Sequence, residues 1–168
     1  MIIKLTDIKN IEAFFCDFDG VLTDNSVYTD SDGIESVKCS RADGLAFDVL
    51  KKINKVTYII SSEKNKVVKS RASKLNVPIL YDIKDKKKSL LKLAKKIKVN
   101  LKRSVYIGND LNDYHAMQLC GLKICPKNSH EDIKKISNFV LKTEGGSGIM
   151  REILEKKFKL DIKSILYK

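Results

Sequence analysis

The sequence has no tryptophan, two prolines and only 7% aromatic residues. Arginine is confined to Arg41, Arg71, Arg103 and Arg151, although the formal net charge is +12. Nucleic-acid surfaces tend to be arginine-rich patches with interleaved aromatics. Charge carried on scattered lysines is instead that of solvated helix faces, so no nucleic-acid partner is expected. The same charge would favour the approach of small anionic substrates. No apolar run approaches the roughly 18 residues that a membrane span requires, so no membrane partner is expected either. Met1 to Asn10 lacks an apolar core followed by a small-residue cleavage site, which points to a cytoplasmic location. Cys16, Cys39, Cys120 and Cys125 show no C-x-x-C spacing; that argues against a zinc site and for free thiols in a reducing compartment. His115 and His130 are expected at the surface.

What is present describes one globular domain. A length of 168 residues, 43% hydrophobic and 32% charged, suits a single core better than two. There is no repeat, low-complexity linker or domain boundary, so residues 1–168 are expected to form one unit.

The stretch that organises the chain is Ala13 to Asp24, in which a short apolar run leads into Asp17-Phe18-Asp19-Gly20. Residues two apart share a face of a strand, and Asp19-Gly20 is turn chemistry that ends it. Two acids are therefore expected at the carboxyl end of a buried strand, where open α/β sheets bind ligands.

Further along, Ile2 to Ile11 is expected as a short lead-in, and 26–29 and 35–39 as a hairpin around Asp30-Ser31-Asp32-Gly33, since Asp-Gly between extended runs is a hairpin signal. A helix capped by Asp43 is expected over 44–53, a strand buried on both faces over 55–60, and a helix opened by Ser61-Ser62-Glu63 and running to Leu75. Strand 77–81 and the amphipathic helix 86–98 follow. Strand 104–107 precedes Gly108-Asn109-Asp110-Leu111-Asn112-Asp113, then a helix through Cys120. The rest divides into strand 122–125, a helix 131–136 capped by Ser129, strand 139–141, a helix 149–158 after Gly145-Gly146-Ser147-Gly148, and a tail 159–168. Strands alternating with helices mean an α/β fold: a three-layer, Rossmann-like parallel sheet covered on both faces.

Four strand ends then carry Asp17 and Asp19, Ser61, the Asp85-Lys86 segment, and Asn109, Asp110 and Asp113. A parallel sheet brings them to one edge. Oxygen ligands suit Mg2+, and the acids among these residues form a candidate cation-binding cluster. Asp17 is placed to attack phosphorus, with the metal and Lys86 screening carboxylate from phosphate. Ser61 is a candidate hydrogen-bond donor to that phosphate, and a helix cap otherwise. Asp19 is placed to protonate the leaving oxygen, which requires a pKa well above the ordinary 3.9 or so of an aspartate.

At these residues the chain resembles the haloacid dehalogenase superfamily of phosphatases. Its four motifs are met in order by Asp17-Phe18-Asp19-Gly20-Val21-Leu22-Thr23, by Ser61, by Lys86, and by Gly108-Asn109-Asp110-Leu111-Asn112-Asp113. Only a hairpin separates the first two motifs, which is similar to the branch without a cap domain. The Arg41-Ala42-Asp43-Gly44 and Gly145-Gly146-Ser147-Gly148 segments resemble that branch too. The resemblance implies a phosphorylated 3-deoxy-2-keto sugar acid as substrate, and a homotetramer in which a neighbour's hairpin (27–38 here) and tail (159–168 here) roof the site. Ser62-Glu63 after Ser61 resembles the phosphatases of nine-carbon nonulosonates more than those of eight-carbon octulosonates. It implies Glu63 paired with Lys74 as substrate-binding residues. Arg71 is a candidate substrate contact and otherwise solvates its helix; Gly146, ahead of a helix N-terminus of the kind that binds anions, is a candidate contact for the sugar carboxylate and otherwise loop punctuation. The resemblance implies Asp17, Asp19, Asn109 and Asp110 as the residues on the metal, with Asp113 behind them, and Asn109 departs from the family pattern, which has an Asp there. That leaves a second reading, an assembly module associated with CMP-sialate synthesis that has little activity of its own.

Overall fold

The computed structural model describes residues 7–167. Of the lead-in expected at 2–11, the part from Asp7 lies within them, and there Asp7 caps a 3-10 turn, Ile8–Asn10. Strand β1 (Ala13–Cys16) comes next, then an exposed antiparallel hairpin, β2 (Tyr28–Thr29) and β3 (Glu35–Ser36). From there helices and strands alternate: α1 (Arg41–Lys52), β4 (Val56–Ile60), α2 (Lys66–Leu75), β5 (Ile79–Leu80) and α3 (Lys86–Ile97). The second half carries β6 (Ser104–Ile107), α4 (Tyr114–Met117), β7 (Leu122–Cys125), α5 (Glu131–Ile136) and β8 (Phe139–Val140). It closes with α6 (Ile149–Glu152), which continues as a π-helical turn over Ile153–Lys157, and α7 (Ile162–Leu166).

The six long-range strands pair in parallel in the order β5-β4-β1-β6-β7-β8. Strand order reverses between β1 and β6, and in such sheets the crevice at the reversal is where ligands bind. Period-two alternation divides the core. Phe14, Cys16, Val105 and Ile107 face α1, α2 and α6, while Phe15 and Tyr106 face α3, α4 and α5. The expected three-layer α/β architecture is what forms.

Local chemistry moved several boundaries. Helix α1 starts at Arg41 because Ser40, not Asp43, caps it, its hydroxyl accepting from Ala42 N. Helix α2 starts at Lys66 with Asn65 as cap, so Ser61-Ser62-Glu63 stays a loop. His130, not Ser129, caps α5. Strand β4 is buried only at Ile59 and Ile60; Val56 is 36% exposed, because the edge strand β5 covers only the end of β4. The helix expected through Cys120 is a 3-10 turn, Leu111–Asp113, followed by one turn of α4. The tail packs on its own chain. Ile162 is buried in the α1 core, and the Lys52 ammonium at the end of α1 donates to Leu166 C=O. A crossover helix runs antiparallel to its strands, so this contact lies at the sheet edge away from their carboxyl ends.

Candidate active site

Asp17 is the first residue past β1, and its N–H still donates to Ile107 C=O at 2.9 Å. The next residues wind into a tight turn in which Phe18 C=O accepts from the N–H groups of Val21, Leu22 and Thr23. Thr23 Oγ1 locks it, accepting from Gly20 N at 3.1 Å and Asn25 N at 3.2 Å. Gly20, at φ 76°, is needed twice over: it adopts a left-handed conformation, and a Cβ there would lie 1.9 Å from Asn109 Nδ2. The 145–148 loop presses on the other side of the same turn. A Cβ on Gly145 would lie 2.1 Å from Gly20 O, and Gly146 N donates to Val21 O at 3.0 Å.

Behind this turn runs a buried line of charges. Lys86 Nζ sits 2.8 Å from Asp17 Oδ1 and 2.7 Å from Asp113 Oδ1, and all three side chains are at most 5% exposed. Asp113 also accepts from Tyr106 Oη at 2.9 Å and, through Oδ2, from Asn109 N at 3.0 Å. Burial pulls the Lys86 pKa down, and the carboxylates of Asp17 and Asp113 more than offset it, so the ammonium is held above its ordinary range. Burial and the Asp113 charge push Asp17 well above the usual carboxylate range, against the pull of Lys86.

Asp19 is half-buried across the turn. Burial and the nearby Glu63 charge push its carboxyl up to about 6, against the pull of Lys86 and the Ser61 hydroxyl; Glu35 on the hairpin adds to the rise. That is the direction the proton-carrier role demands. Ser61 is buried, and its Oγ accepts from Glu63 N at 3.1 Å. It holds the loop rather than a helix end.

Asp17 and Asp19 border a cleft of about 170 Å³ that is also lined by Asn25, Ser62, Glu63, Asn109, Asp110 and Asn112, while Ser61 and Lys86 are not among its lining residues. Every lining side chain carries oxygen. Asn109 Oδ1 is buried without a hydrogen-bond partner, and a buried acceptor left in that state is costly. Among the described residues no group of three or more His, Cys, Asp or Glu side chains is arranged to hold a metal. The donor set here is mixed, with carboxylates from Asp17 and Asp110 and the amide oxygen of Asn109, and its hard oxygen chemistry with one orphaned atom fits Mg2+. Asp110 commits Oδ1 to Leu111 N at 2.7 Å.

Three residues expected to bind substrate are not brought to the cleft. Lys74 lies exposed near the end of α2, more than two turns beyond its cap, and among the described residues it forms no ion pair with Glu63. Arg71 is half-buried and donates from Nη2 to Ser40 O at 2.8 Å, tying α2 to the start of α1. Gly146 packs against Thr23 and Asp24, and its N–H is already used. Nor is the α6 N-terminus open to an anion, because buried Asp43 Oδ1 accepts from Met150 N at 2.8 Å. The residue that sequence reasoning missed is Tyr106. Its signal was a phenolic hydroxyl in the middle of a buried strand, where a tyrosine needs a partner.

The family model for haloacid dehalogenase-like hydrolases matches residues 21–153. The 3-deoxy-D-manno-octulosonate 8-phosphate phosphatase of Salmonella typhi is 28% identical over 152 residues, covering 90% of this chain and 81% of its own. A HAD family hydrolase from Streptomyces avermitilis superposes with a TM-score of 0.90 at 34% identity, covering 94% of this chain and 91% of its own. The octulosonate 8-phosphate phosphatase of Moraxella catarrhalis, in complex with magnesium, phosphate and KDO, superposes with a TM-score of 0.85 at 32% identity, covering 90% and 87%. The chain belongs to the haloacid dehalogenase-like hydrolases, and within them it is a phosphoric monoester hydrolase.

Proposed function

We propose that this protein is a magnesium-dependent phosphatase that hydrolyses the phosphate monoester of a 3-deoxy-2-keto sugar acid through an aspartyl-phosphate on Asp17. The observation that carries the reading is the buried Asp17–Lys86–Asp113 line opening onto a cleft whose lining side chains all carry oxygen. Asp17, Asn109 and Asp110 would hold the ion through their side chains, leaving the Asp19 carboxyl free to carry a proton; when bound, the ion neutralises phosphate charge. The contacts of Phe18 N and Lys86 both fall on Asp17 Oδ1, which leaves Oδ2 to attack phosphorus. As that bond forms the ester P–O bond breaks, and protonated Asp19 gives its proton to the departing sugar oxygen. The resulting Asp19 carboxylate then takes a proton from water, which attacks phosphorus and releases Asp17 and inorganic phosphate. Lys86 stays charged throughout and screens the approach of the anion.

The named relatives support the eight-carbon octulosonate ester as the first substrate to test. A nine-carbon nonulosonate 9-phosphate is the second reading, and Glu63 at the lip of the cleft supports it. The Lys74 half of that argument falls away, since Lys74 stands apart from Glu63. The exposed hairpin side chains Val27, Tyr28 and Ile34 support a homotetramer built through 26–39, which sedimentation would reveal. The experiment is phosphate release from both esters with magnesium. Brisk turnover of either supports the proposal. Silence with both, in a folded assembly, favours the module with little activity that Asn109 allows.

A further inference from the structure

Tyr106 is the largest fully buried side chain among the described residues, and packing alone does not explain its hydroxyl. On β6 it points to the α3 side of the sheet, among Phe15, Leu90, Leu93 and Met117. A phenylalanine would fill that space equally well. The hydroxyl meets one group, Asp113 Oδ1, at 2.9 Å, and this is the same oxygen that receives Lys86 at 2.7 Å. The other oxygen of Asp113 receives Asn109 N at 3.0 Å.

A carboxylate offers about four lone-pair directions, and three donors from three separate elements fix how this one is rotated. Lys86 comes from the start of α3, Tyr106 from the middle of β6, and Asn109 from the loop after β6. Gly108 leaves room for this carboxylate, since a Cβ there would lie 2.7 Å from it. Were Tyr106 absent, Asp113 could turn about its own bond and take Lys86 with it, because among the described residues Lys86 would be the one side-chain donor left on Oδ1. The ammonium would then leave Asp17 Oδ1, 2.8 Å away on its other side.

We infer that Tyr106 is a positioning residue for hydrolysis: by occupying Asp113 Oδ1 it fixes the carboxylate that holds the Lys86 ammonium against the nucleophile. This inference rests on the reaction proposed above. Tyr106 touches neither substrate nor the reacting atoms, and it acts only through Asp113. Its effect must therefore vanish when Asp113 can no longer transmit it, which a merely structural tyrosine would not show.

The test is a double-mutant cycle with Tyr106→Phe and Asp113→Asn, read in two ways. In turnover of a sugar-acid phosphate, Tyr106→Phe is expected to lower kcat about tenfold with KM changed less than about twofold, the scale of one lost buried hydrogen bond. Adding it to Asp113→Asn is expected to cost no further activity. Independently of turnover, the Asn109 amide resonance in 15N spectra of the folded protein is expected to shift in each single variant. Tyr106→Phe is expected to add no further shift to Asp113→Asn. Equal losses from Tyr106→Phe in both backgrounds, or an unmoved Asn109 resonance, would overturn the inference. If the wild-type protein hydrolyses no ester while the resonance responds as described, the positioning contact stands and the proposed reaction is what fails.

Discussion

Lys86 Nζ lies 2.8 Å from Asp17 Oδ1, and both side chains are at most 5% exposed. The contact joins the start of α3 to the end of β1, elements separated by most of the first half of the chain. It places one cation between two buried carboxylates, since Asp113 stands on the other side.

Removing that cation leaves two buried acids facing each other. Lys86→Met is expected to destabilise the fold by about 3 kcal/mol at pH 7, the scale seen when one partner of a buried pair is lost. Phosphatase activity is expected to fall by about a thousandfold. Urea unfolding measures the first effect and steady-state kinetics the second. An unchanged unfolding midpoint would mean that the carboxylates are accommodated without Lys86.

In the proposed ion site Asn109 would supply a neutral oxygen where the family pattern it resembles has a charged one. Asn109→Asp is expected to tighten magnesium by about tenfold, because affinity in oxygen sites follows the ligand charge count. Magnesium titration by calorimetry and by activity reads this directly. An unchanged or weakened affinity would remove Asn109 from the ion's ligands.

Asp43 supplies a pH dependence outside the cleft. Burial pushes its carboxyl up to about 6, against the hydrogen bond from Met150 N and the charge of Arg71. Between about pH 4, the ordinary aspartate range, and pH 6 the native state holds a proton that the unfolded chain has released. Stability therefore falls as pH rises through that window and levels off above it. Asp43→Asn keeps an acceptor oxygen for Met150 N and has no charge to bury. It is expected to be more stable than wild type by about 2 kcal/mol at pH 7, with the gain vanishing below pH 4. Denaturant midpoints across pH would show the two curves converging in acid; parallel curves would refute the assignment.

Gly145 is where one loop bears on the turn that follows the nucleophile. Gly145→Ala places a methyl 2.1 Å from Gly20 O, a backbone atom that cannot swing aside. Turnover is expected to fall by at least about tenfold as the 17–23 turn shifts, while Gly44→Ala, whose added methyl would meet only Leu75 Cδ2 at 3.6 Å, leaves turnover unchanged. Equal activity of the two variants would show that the loop does not set the turn.

Much of this arrangement was legible in the sequence because strand ends are marked by composition. The buried runs at 13–16, 104–107 and 122–125 stop at Asp17, Gly108 and Pro126, and a parallel sheet gathers those ends at one edge. Asp17, Lys86 and Asp113 follow from that topology. What depended on long-range contact was hidden. Asp43 resembles a helix cap locally, but its partner is Met150, far away in the chain. Gly146 resembles an anion-binding loop, yet its freedom is spent on packing against Thr23 and Asp24. Lys74 falls at a suggestive interval from Glu63, but helix α2 starts at Lys66 instead of Ser61, which leaves Glu63 in the loop before it and Lys74 in its last turn.

The central claim is that Asp17 carries phosphate during turnover. Acid quenching of the enzyme with its sugar-acid phosphate, borohydride reduction and peptide mass spectrometry should find the reduced side chain at position 17 alone. Asp17→Asn should show neither that product nor phosphate release, while keeping the wild-type fold. Phosphate release by a folded Asp17→Asn protein, or trapping at another residue, would contradict the account.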